Sequence, residues 1–97
     1  MMITEKQFSQ QVVDAAKMFG WLVYRTWRST HSPAGFPDLC MVKGERLIFA
    51  ELKGAKGKVS PKQQEWLDAL TAVAETYLWR PDDLDAIIEV LGVELRR

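Results

Sequence analysis

The spacing of apolar residues along the chain predicts alternating helices and strands. In residues 4–19, apolar side chains recur every three or four positions, which is the repeat of an amphipathic helix. Thr4 is placed to cap the start of this helix, and Gly20 to end it. A tight turn around Gly44, at residues 43–46, predicts a hairpin. We predict three strands from short apolar or β-branched runs at residues 21–27, 38–42 and 47–53.

The second half of the chain predicts a helix, a strand and a closing helix. Ser60 and Pro61 suit a helix start, and Gln63 stands at the capping-box spacing from Ser60. The apolar face of this helix is predicted to contain Trp66, Leu67, Leu70 and Val73. Residues 75–80 and 81–91 are predicted to form the last strand and the last helix. The order α-β-β-β-α-β-α predicts a single α/β (α+β) domain over residues 1–97, with a mixed sheet between helices and residues 47–53 as a central strand.

Composition narrows the class of protein. The 97 residues are 47% hydrophobic and 27% charged, which is typical of a globular domain. The single cysteine, Cys40, excludes an internal disulfide and a cysteine zinc site, and we expect it to be a small buried side chain. No apolar run approaches the roughly 18 residues of a membrane span, and the N-terminal residues lack a signal-peptide pattern. We therefore expect a cytoplasmic protein with no membrane partner.

Charge is unevenly distributed along the chain. The formal net charge is zero, which by itself argues against a nucleic-acid-binding protein. However, residues 43–62 hold six basic and two acidic side chains, and residues 81–97 hold two basic and five acidic ones. A molecule polarised in this way can carry a local phosphate-binding surface. The basic excess lies on both sides of the sequence ELK at residues 51–53.

Asp38, Glu51 and Lys53 are the residues that point to chemistry. If residues 43–46 form the hairpin turn, Asp38 and Glu51 lie equally far from it and face each other across the two strands, within about 5 Å. Two carboxylates this close repel each other unless they hold a divalent cation, and oxygen ligands suit Mg²⁺ or Mn²⁺. Lys53 projects on the same side as Glu51 and could orient or deprotonate an attacking water. The alternative is a solvated Asp38 and a surface Glu–Lys pair.

These residues stand in a pattern that resembles a known nuclease family. Pro37-Asp38 followed by ELK at residues 51–53 resembles the PD-(D/E)xK nuclease signature, and the predicted order resembles the αβββαβ core of restriction endonucleases with an extra C-terminal helix. The chain more closely resembles a stand-alone VRR-NUC domain, the virus-type replication-repair nuclease, of the phage or bacterial type. The resemblance runs from about residue 4 to 91 and rests on Glu5, GW at 20–21, GFPDL at 35–39, ELK at 51–53, SPKQ at 60–63 and WRP at 79–81.

The resemblance implies a Mg²⁺- or Mn²⁺-dependent DNA endonuclease without an organic cofactor. By this analogy Asp38 and Glu51 bind the metal, the Leu52 carbonyl contributes a further ligand, and Lys53 positions water. Glu5 would complete the metal's surroundings, with a helix-dipole role as the alternative. Gln63 would reach the site from the second helix, with the capping box as the alternative. Stand-alone relatives resemble Holliday-junction resolvases, which implies branched DNA, a role in DNA repair and a homodimer. The closing helix, with Ile87, Ile88 and Leu91, either forms the dimer interface or packs on the sheet.

Several loop residues are candidates for contacts with the DNA backbone. They flank the proposed metal site in sequence and carry hydroxyl or cationic groups: Arg25, Arg28, Ser29, Ser32, Lys56 and Lys58. A solvated loop is the alternative for residues 28–32. His31 is either a general acid or base, or an exposed loop residue. For the tryptophans at positions 21, 27, 66 and 79 we predict core packing rather than stacking on bases.

Three classes of function remain distinguishable from the sequence. The first is the structure-specific nuclease, for which a flap-directed or restriction-like nuclease is the alternative within the same class. The second is a non-catalytic nucleic-acid-binding module on the same fold, against which the complete set of Asp38, Glu51 and Lys53 speaks. The third is a small protein-interaction domain, which the zero net charge would favour.

Overall fold

The computed structural model describes residues 3–27 and 32–93 and confirms the predicted order of elements. The elements are α1 (Glu5–Met18), β1 (Leu22–Arg25), β2 (Leu39–Lys43), β3 (Arg46–Leu52), α2 (Pro61–Thr71), β4 (Glu75–Trp79) and, after a 3₁₀ turn (Pro81–Asp83), α3 (Leu84–Gly92). Thr4 caps α1 and Ser60 caps α2, each in a complete capping box. None of the helices in the described ranges is long and apolar enough to cross a membrane.

The four strands form one mixed sheet in the order β1-β2-β3-β4. β1 and β3 run antiparallel to β2, whereas β4 runs parallel to β3, because α2 carries the chain back across the sheet between them. In the β2–β3 hairpin, Lys43 pairs with Arg46 and Leu39 with Ala50. The register is the one that counting outward from the turn predicts. The strand order makes β3 an interior strand.

The hydrophobic core lies between one face of the sheet and the helices α1 and α3. Alternate residues of β2 and β3 supply the sheet side, and α1 supplies Phe8, Val12 and Ala16. Ile87 and Leu91 of α3 are fully buried in the same core. Of the two roles left open for the closing helix, packing on the sheet is therefore the correct one for these two residues.

The opposite face of the sheet is covered at one side only. Phe36, Phe49 and Trp66 meet there through edge-to-face ring contacts, which pack α2 against β3. Beyond α2, the residues of β1, β2 and the start of β3 that point to this face are exposed or half-buried: Leu22, Tyr24, Cys40, Val42 and Leu47. We call these five residues the open sheet face.

Three expectations about individual side chains and one about the closing helix are wrong. Val73 lies beyond the end of α2 and is 79% exposed, because the helix stops at Thr71 before Val73 can join its buried side. β1 ends at Arg25, and Trp27, which follows it, is 82% exposed instead of packed in the core. Cys40 is half-buried because α2 covers only one side of the sheet face on which Cys40 lies. The closing helix begins as a 3₁₀ turn rather than as continuous α-helix.

Arg46 ties together the end of the sheet where β3 begins. Its guanidinium forms a two-point ion pair with Glu75 at 2.6 and 2.8 Å and donates to the carbonyl oxygens of Val90 and Val93. It also lies over the ring of Trp21, 5.0 Å from the centroid. These contacts attach the first residues of β3 and β4 to the end of α3, and hydrogen bonding to Glu75 raises the pKa of Arg46.

Gly35 allows the loop before β2 to approach the start of α2. Its φ is +98°, and an added Cβ would lie 2.6 Å from the backbone carbonyl of Lys62. Only glycine fits both the left-handed backbone and this close contact. The contact holds Phe36 against Trp66 and fixes the chain three residues before Asp38.

We therefore expect Gly35→Ala to destabilise the protein by more than about 1 kcal/mol. Urea denaturation measures the loss, with Gly54→Ala as the matched control because a Cβ at Gly54 meets nothing within 4 Å. Equal stability of the two variants would contradict the proposed role of Gly35.

Candidate active site

Asp38 and Glu51 face each other at the end of the β2–β3 hairpin. The last residue pair within the two strands is Leu39 with Ala50, so Asp38 and Glu51 occupy the next position outward. The Asp38 carboxylate accepts a hydrogen bond from the backbone N–H of Leu52 at 2.8 Å, and the Asp38 carbonyl accepts one from Thr26 N–H at 2.8 Å. Asp38 is thus held on both sides by backbone groups of β3 and of the chain just after β1.

Glu51 is a buried carboxyl group in which one oxygen accepts a hydrogen bond and the other has no hydrogen-bond partner among the described residues. Its side chain is 2% exposed, so the alternative of a surface Glu–Lys pair is wrong. Oε2 accepts a hydrogen bond from Gln63 Nε2 at 3.0 Å and lies 3.6 Å from Lys53 Nζ. Among the described side chains, Glu51 Oε1 is the one buried polar atom without a hydrogen-bond partner. A buried oxygen without a partner is costly unless something else binds it.

Burial raises the pKa of Glu51 to about 7, and the neighbouring Asp38 carboxylate adds to the rise, while Lys53 opposes it. The two acids therefore repel each other in a site that disfavours charge. A divalent cation would reverse both effects, and its preference for carboxylate oxygens fits this donor set.

Few protein side chains at this site could bind a metal ion directly. The described residues contain no group of three or more Asp, Glu, His or Cys side chains placed to hold a metal ion together. Asp38 and Glu51 thus offer two carboxylates, which suits a cation that retains several water molecules, as Mg²⁺ does. Leu52 also lines the site, and its N–H is bound to Asp38.

Gln63 both completes the cap of α2 and binds one member of the acidic pair, as we call Asp38 and Glu51. Its Oε1 accepts a hydrogen bond from Ser60 N–H at 2.9 Å, and its Nε2 donates to Glu51. The two interpretations of Gln63 from the sequence, capping residue and site residue, are therefore both consistent with the geometry.

The acidic pair opens into a pocket of 340 Å³ between α1, the ends of β1–β3 and the start of α2. Of the predicted site residues, Glu5, Arg25, Asp38, Glu51, Leu52, Lys53 and Gln63 line it. Gln10 on α1 accepts a hydrogen bond from Arg25 at 2.9 Å and is itself bound to Asp14, which fixes the guanidinium at the rim.

Sequence reasoning missed four residues that line the pocket, the polar Lys6, Ser9 and Thr26 and the apolar Leu39. The helical repeat contains a signal for Ser9, because residues four apart lie on the same side of a helix and Glu5 was already a candidate. Thr26 follows β1 directly, and its hydroxyl donates to the Pro37 carbonyl at 2.6 Å, which joins the end of β1 to the residue before Asp38.

The remaining predicted residues that the structure describes do not line the pocket. Ser32, Lys56 and Lys58 are exposed outside it. Arg28, Ser29 and His31 lie outside the described residues.

Comparisons with known proteins agree with this fold. A solved structure described as a VRR_NUC domain protein superimposes with a TM-score of 0.68 over 98% of both chains, at 16% identity. The Holliday junction resolvase Hjc of Archaeoglobus fulgidus, an archaeal hyperthermophile, superimposes with a TM-score of 0.59 at 22% identity, over 78% of this chain and 69% of that one. No curated protein sequence matches the chain.

The family assignment rests on a sequence model as well as on shape. The model of the VRR-NUC domain matches residues 2–75, which include Glu5, Asp38, Glu51, Lys53 and Gln63. This span covers three quarters of the chain and every element from α1 to the start of β4. The chain therefore belongs to the VRR-NUC family and has its nuclease fold.

Proposed function

We propose that the protein is a Mg²⁺- or Mn²⁺-dependent DNA endonuclease. The observation that carries this proposal is the unpartnered, buried Oε1 of Glu51 beside the Asp38 carboxylate, with Lys53 3.6 Å from the other oxygen of Glu51. A surface used only for binding DNA would gain nothing from two carboxylates facing the phosphates. A protein-interaction domain would not need to bury Glu51.

Asp38 and Glu51 would hold the cation, with the Leu52 carbonyl as the predicted further ligand. When bound, Mg²⁺ or Mn²⁺ supplies Lewis-acid chemistry: it draws charge from the attacked phosphate and makes water more acidic. Lys53 orients the attacking water and balances the charge that grows on the phosphate. Gln63 keeps Glu51 in place by donating to Oε2, and Glu5 lies at the pocket wall, where it orients water around the site. Water adds to phosphorus, the P–O bond to the sugar breaks, and the leaving oxygen takes up a proton.

Cationic and hydroxyl groups around the pocket would hold the DNA backbone. Arg25, together with Lys6 and Ser9, provides donors on the α1 side of the acidic pair. Lys56 and Lys58 provide exposed charge on the side of the chain that follows Lys53, and Arg28, Ser29 and Ser32 are the candidates in the loop before Asp38. Contacts of this kind are independent of base sequence and weaken as salt rises.

A structure-specific substrate, such as a Holliday junction or other branched DNA, is the preferred form of this activity. The likeness to Hjc concerns the fold, and Hjc is itself a Holliday junction resolvase. A flap-directed or restriction-like nuclease is the second candidate. A DNA substrate and an unpaired Cys40 both fit a role in the cytoplasm, in DNA repair.

We further propose a homodimer, because symmetric cuts in a branched substrate need two sites and the described part of one chain holds one acidic pair. The open sheet face is the surface that supports it. Leu22, Tyr24, Cys40, Val42 and Leu47 are uncharged, so two copies related by a two-fold axis could bring the same patch together without charge repulsion. α3 is less suited, since Ile87 and Leu91 are buried.

Cleavage of branched, flapped and linear DNA with and without Mg²⁺ tests the activity. We expect the wild-type protein to cut with Mg²⁺ or Mn²⁺ only, and Asp38→Asn to lower kcat by about 100-fold or more. Asn is preferred to Ala because it keeps an oxygen that can accept from Leu52 N–H. Asp68→Asn, an exposed change on α2, is the matched control. If the folded wild-type protein cuts none of the substrates with either metal, the nuclease proposal is wrong.

The pH dependence of stability tests the state of Glu51. Without divalent cations, we expect stability to fall as pH rises from 4.5 to about 7, because the unfolded state has already lost the proton that folded Glu51 still holds. Glu51→Gln removes this group, so its gain in stability over wild type should grow through the same window. Mg²⁺ should stabilise the wild type and not the variant. Thermal unfolding across pH measures the stability difference between Glu51→Gln and wild type, and exposed Glu65→Gln is the control. If the stability curves of Glu51→Gln and wild type run parallel across this pH range, the raised pKa of Glu51 is contradicted.

Solution mass tests the dimer. We expect the wild-type protein to have twice the mass of one chain, and Leu22→Lys to be a folded monomer because it places a charge on the open sheet face where the side chain is 76% exposed. Met18→Lys, at a similarly exposed position on α1, should remain dimeric. A wild-type monomer, or a dimer that survives Leu22→Lys unchanged, would rule out this interface.

A further inference from the structure

Arg80, in the WRP sequence after β4, makes contacts that the proposed chemistry does not use. Its Nη1 donates to the carbonyl oxygens of Gly54 at 2.8 Å and Gly57 at 2.7 Å. Gly57 N–H donates to Gly54 at 3.2 Å, so these residues form a tight turn, which we call the 54–57 turn. One guanidinium nitrogen thus closes the turn that directly follows Lys53.

The 54–57 turn lies against the side chain of Lys53. A Cβ added to Gly57 would be 3.3 Å from Lys53 Cδ and 3.5 Å from Lys53 Cβ. The absence of a side chain at Gly57 therefore lets the turn lie along the methylene groups of Lys53. The turn has one side against this lysine and the other against Arg80.

Lys53 and Arg80 are also connected through the backbone. Lys53 N–H donates to the Trp79 carbonyl at 3.0 Å, which extends the β3–β4 pairing by one residue. Arg80 N–H donates to the Asp83 carboxylate at 2.8 Å, so the 3₁₀ turn fixes the residue that holds the 54–57 turn. Trp79, between these two points, is buried in the core. The position of Arg80 is thus set by the sheet and the 3₁₀ turn.

We propose that Arg80 is a positioning residue for the nuclease reaction, which acts through the 54–57 turn to hold Lys53 beside Glu51. This inference rests on the proposed nuclease function. A lysine side chain has four rotatable bonds and many conformations of similar energy. Lys53 is only 15% exposed, and its Nζ stays 3.6 Å from Glu51 Oε2. Contact along its methylene groups removes the conformations that would carry the ammonium group away from the pocket.

A matched pair of glycine variants separates this role from a general effect on the turn. Gly57→Ala inserts a methyl group against Lys53 while both Arg80 hydrogen bonds can remain, so we expect kcat for Mg²⁺-dependent cleavage to fall about 10- to 100-fold with KM nearly unchanged. Gly54→Ala makes the same substitution in the same turn, and its Cβ meets nothing within 4 Å. We expect its kcat to remain within about twofold of wild type, in line with the small effect of unobstructed surface changes.

Variants of Arg80 test the hydrogen bonds between Arg80 and the 54–57 turn. Arg80→Gln should lower kcat by a similar factor, and Arg80→Lys should recover part of it, because an ammonium group can still donate to a turn carbonyl. Nuclear magnetic resonance supplies a readout that needs no activity: cross-relaxation between the Gly57 α-protons and the Lys53 methylene protons should be present in wild type and Gly54→Ala. It should be weakened in Arg80→Gln, and in Gly57→Ala the cross-relaxation from the single α-proton of residue 57 to the Lys53 methylene protons should be weakened as well.

The outcomes distinguish this inference from the proposed function. Wild-type protein without metal-dependent cleavage overturns the nuclease function, and with it this role of Arg80. Wild-type cleavage with unchanged kcat in Arg80→Gln and Gly57→Ala, despite loss of the Gly57–Lys53 contact, overturns the inference alone. Loss of activity through KM only, or retention of the contact in Arg80→Gln, also overturns it.

Discussion

The burial of Glu51 beside Asp38 is the constraint on which the site depends. A carboxyl group that is 2% exposed and faces another acid is costly in a folded protein. The surrounding contacts reduce this cost without removing it: Gln63 and Lys53 approach one oxygen, Leu52 N–H binds Asp38, and Glu51 Oε1 has no partner. The fold therefore forms a site that favours a bound cation. The cost of burying Glu51 beside Asp38 is offset by stabilising contacts in other parts of the molecule. Part of that stability comes from the core against α1 and α3, and part from Arg46.

The two ends of β3 have different roles, one structural and one in the acidic site. Arg46 at its start is bound to Glu75 and to carbonyls near the end of α3, whereas Glu51 near its end faces the pocket. They are five positions apart along the strand, which is roughly 17 Å. The basic excess at residues 43–62 is therefore not one surface around ELK, as the sequence suggested. Arg46 belongs to the structural end, and Lys53 is the one described basic side chain of this segment that lines the pocket.

Sequence reasoning succeeded where the determining contacts are local. Counting from the 43–46 turn predicted the register of Asp38 and Glu51, and the spacing of Ser60 and Gln63 predicted a capping box. It failed where packing over long separations decides. Periodicity does not show that α2 stops before Val73 or that α2 covers only part of one sheet face. It therefore predicts burial for Val73, Trp27 and Cys40, which are exposed or half-buried. The contact between Arg80 and the 54–57 turn joins residues 26 positions apart and leaves no local signal.

The capping box of α2 also determines what Gln63 can offer to Glu51. Its Oε1 is occupied by Ser60 N–H, so the amide must present its Nε2 to Glu51 and can only donate there. A glutamate at the same position would satisfy the helix cap equally well, since capping boxes accept either residue. It would, however, bring a third carboxylate to Asp38 and Glu51 and remove the donor that favours ionised Glu51. The capping box alone permits glutamine or glutamate at position 63, whereas the neighbouring carboxylates of Asp38 and Glu51 favour glutamine. The helix cap and the acidic site together therefore account for Gln63.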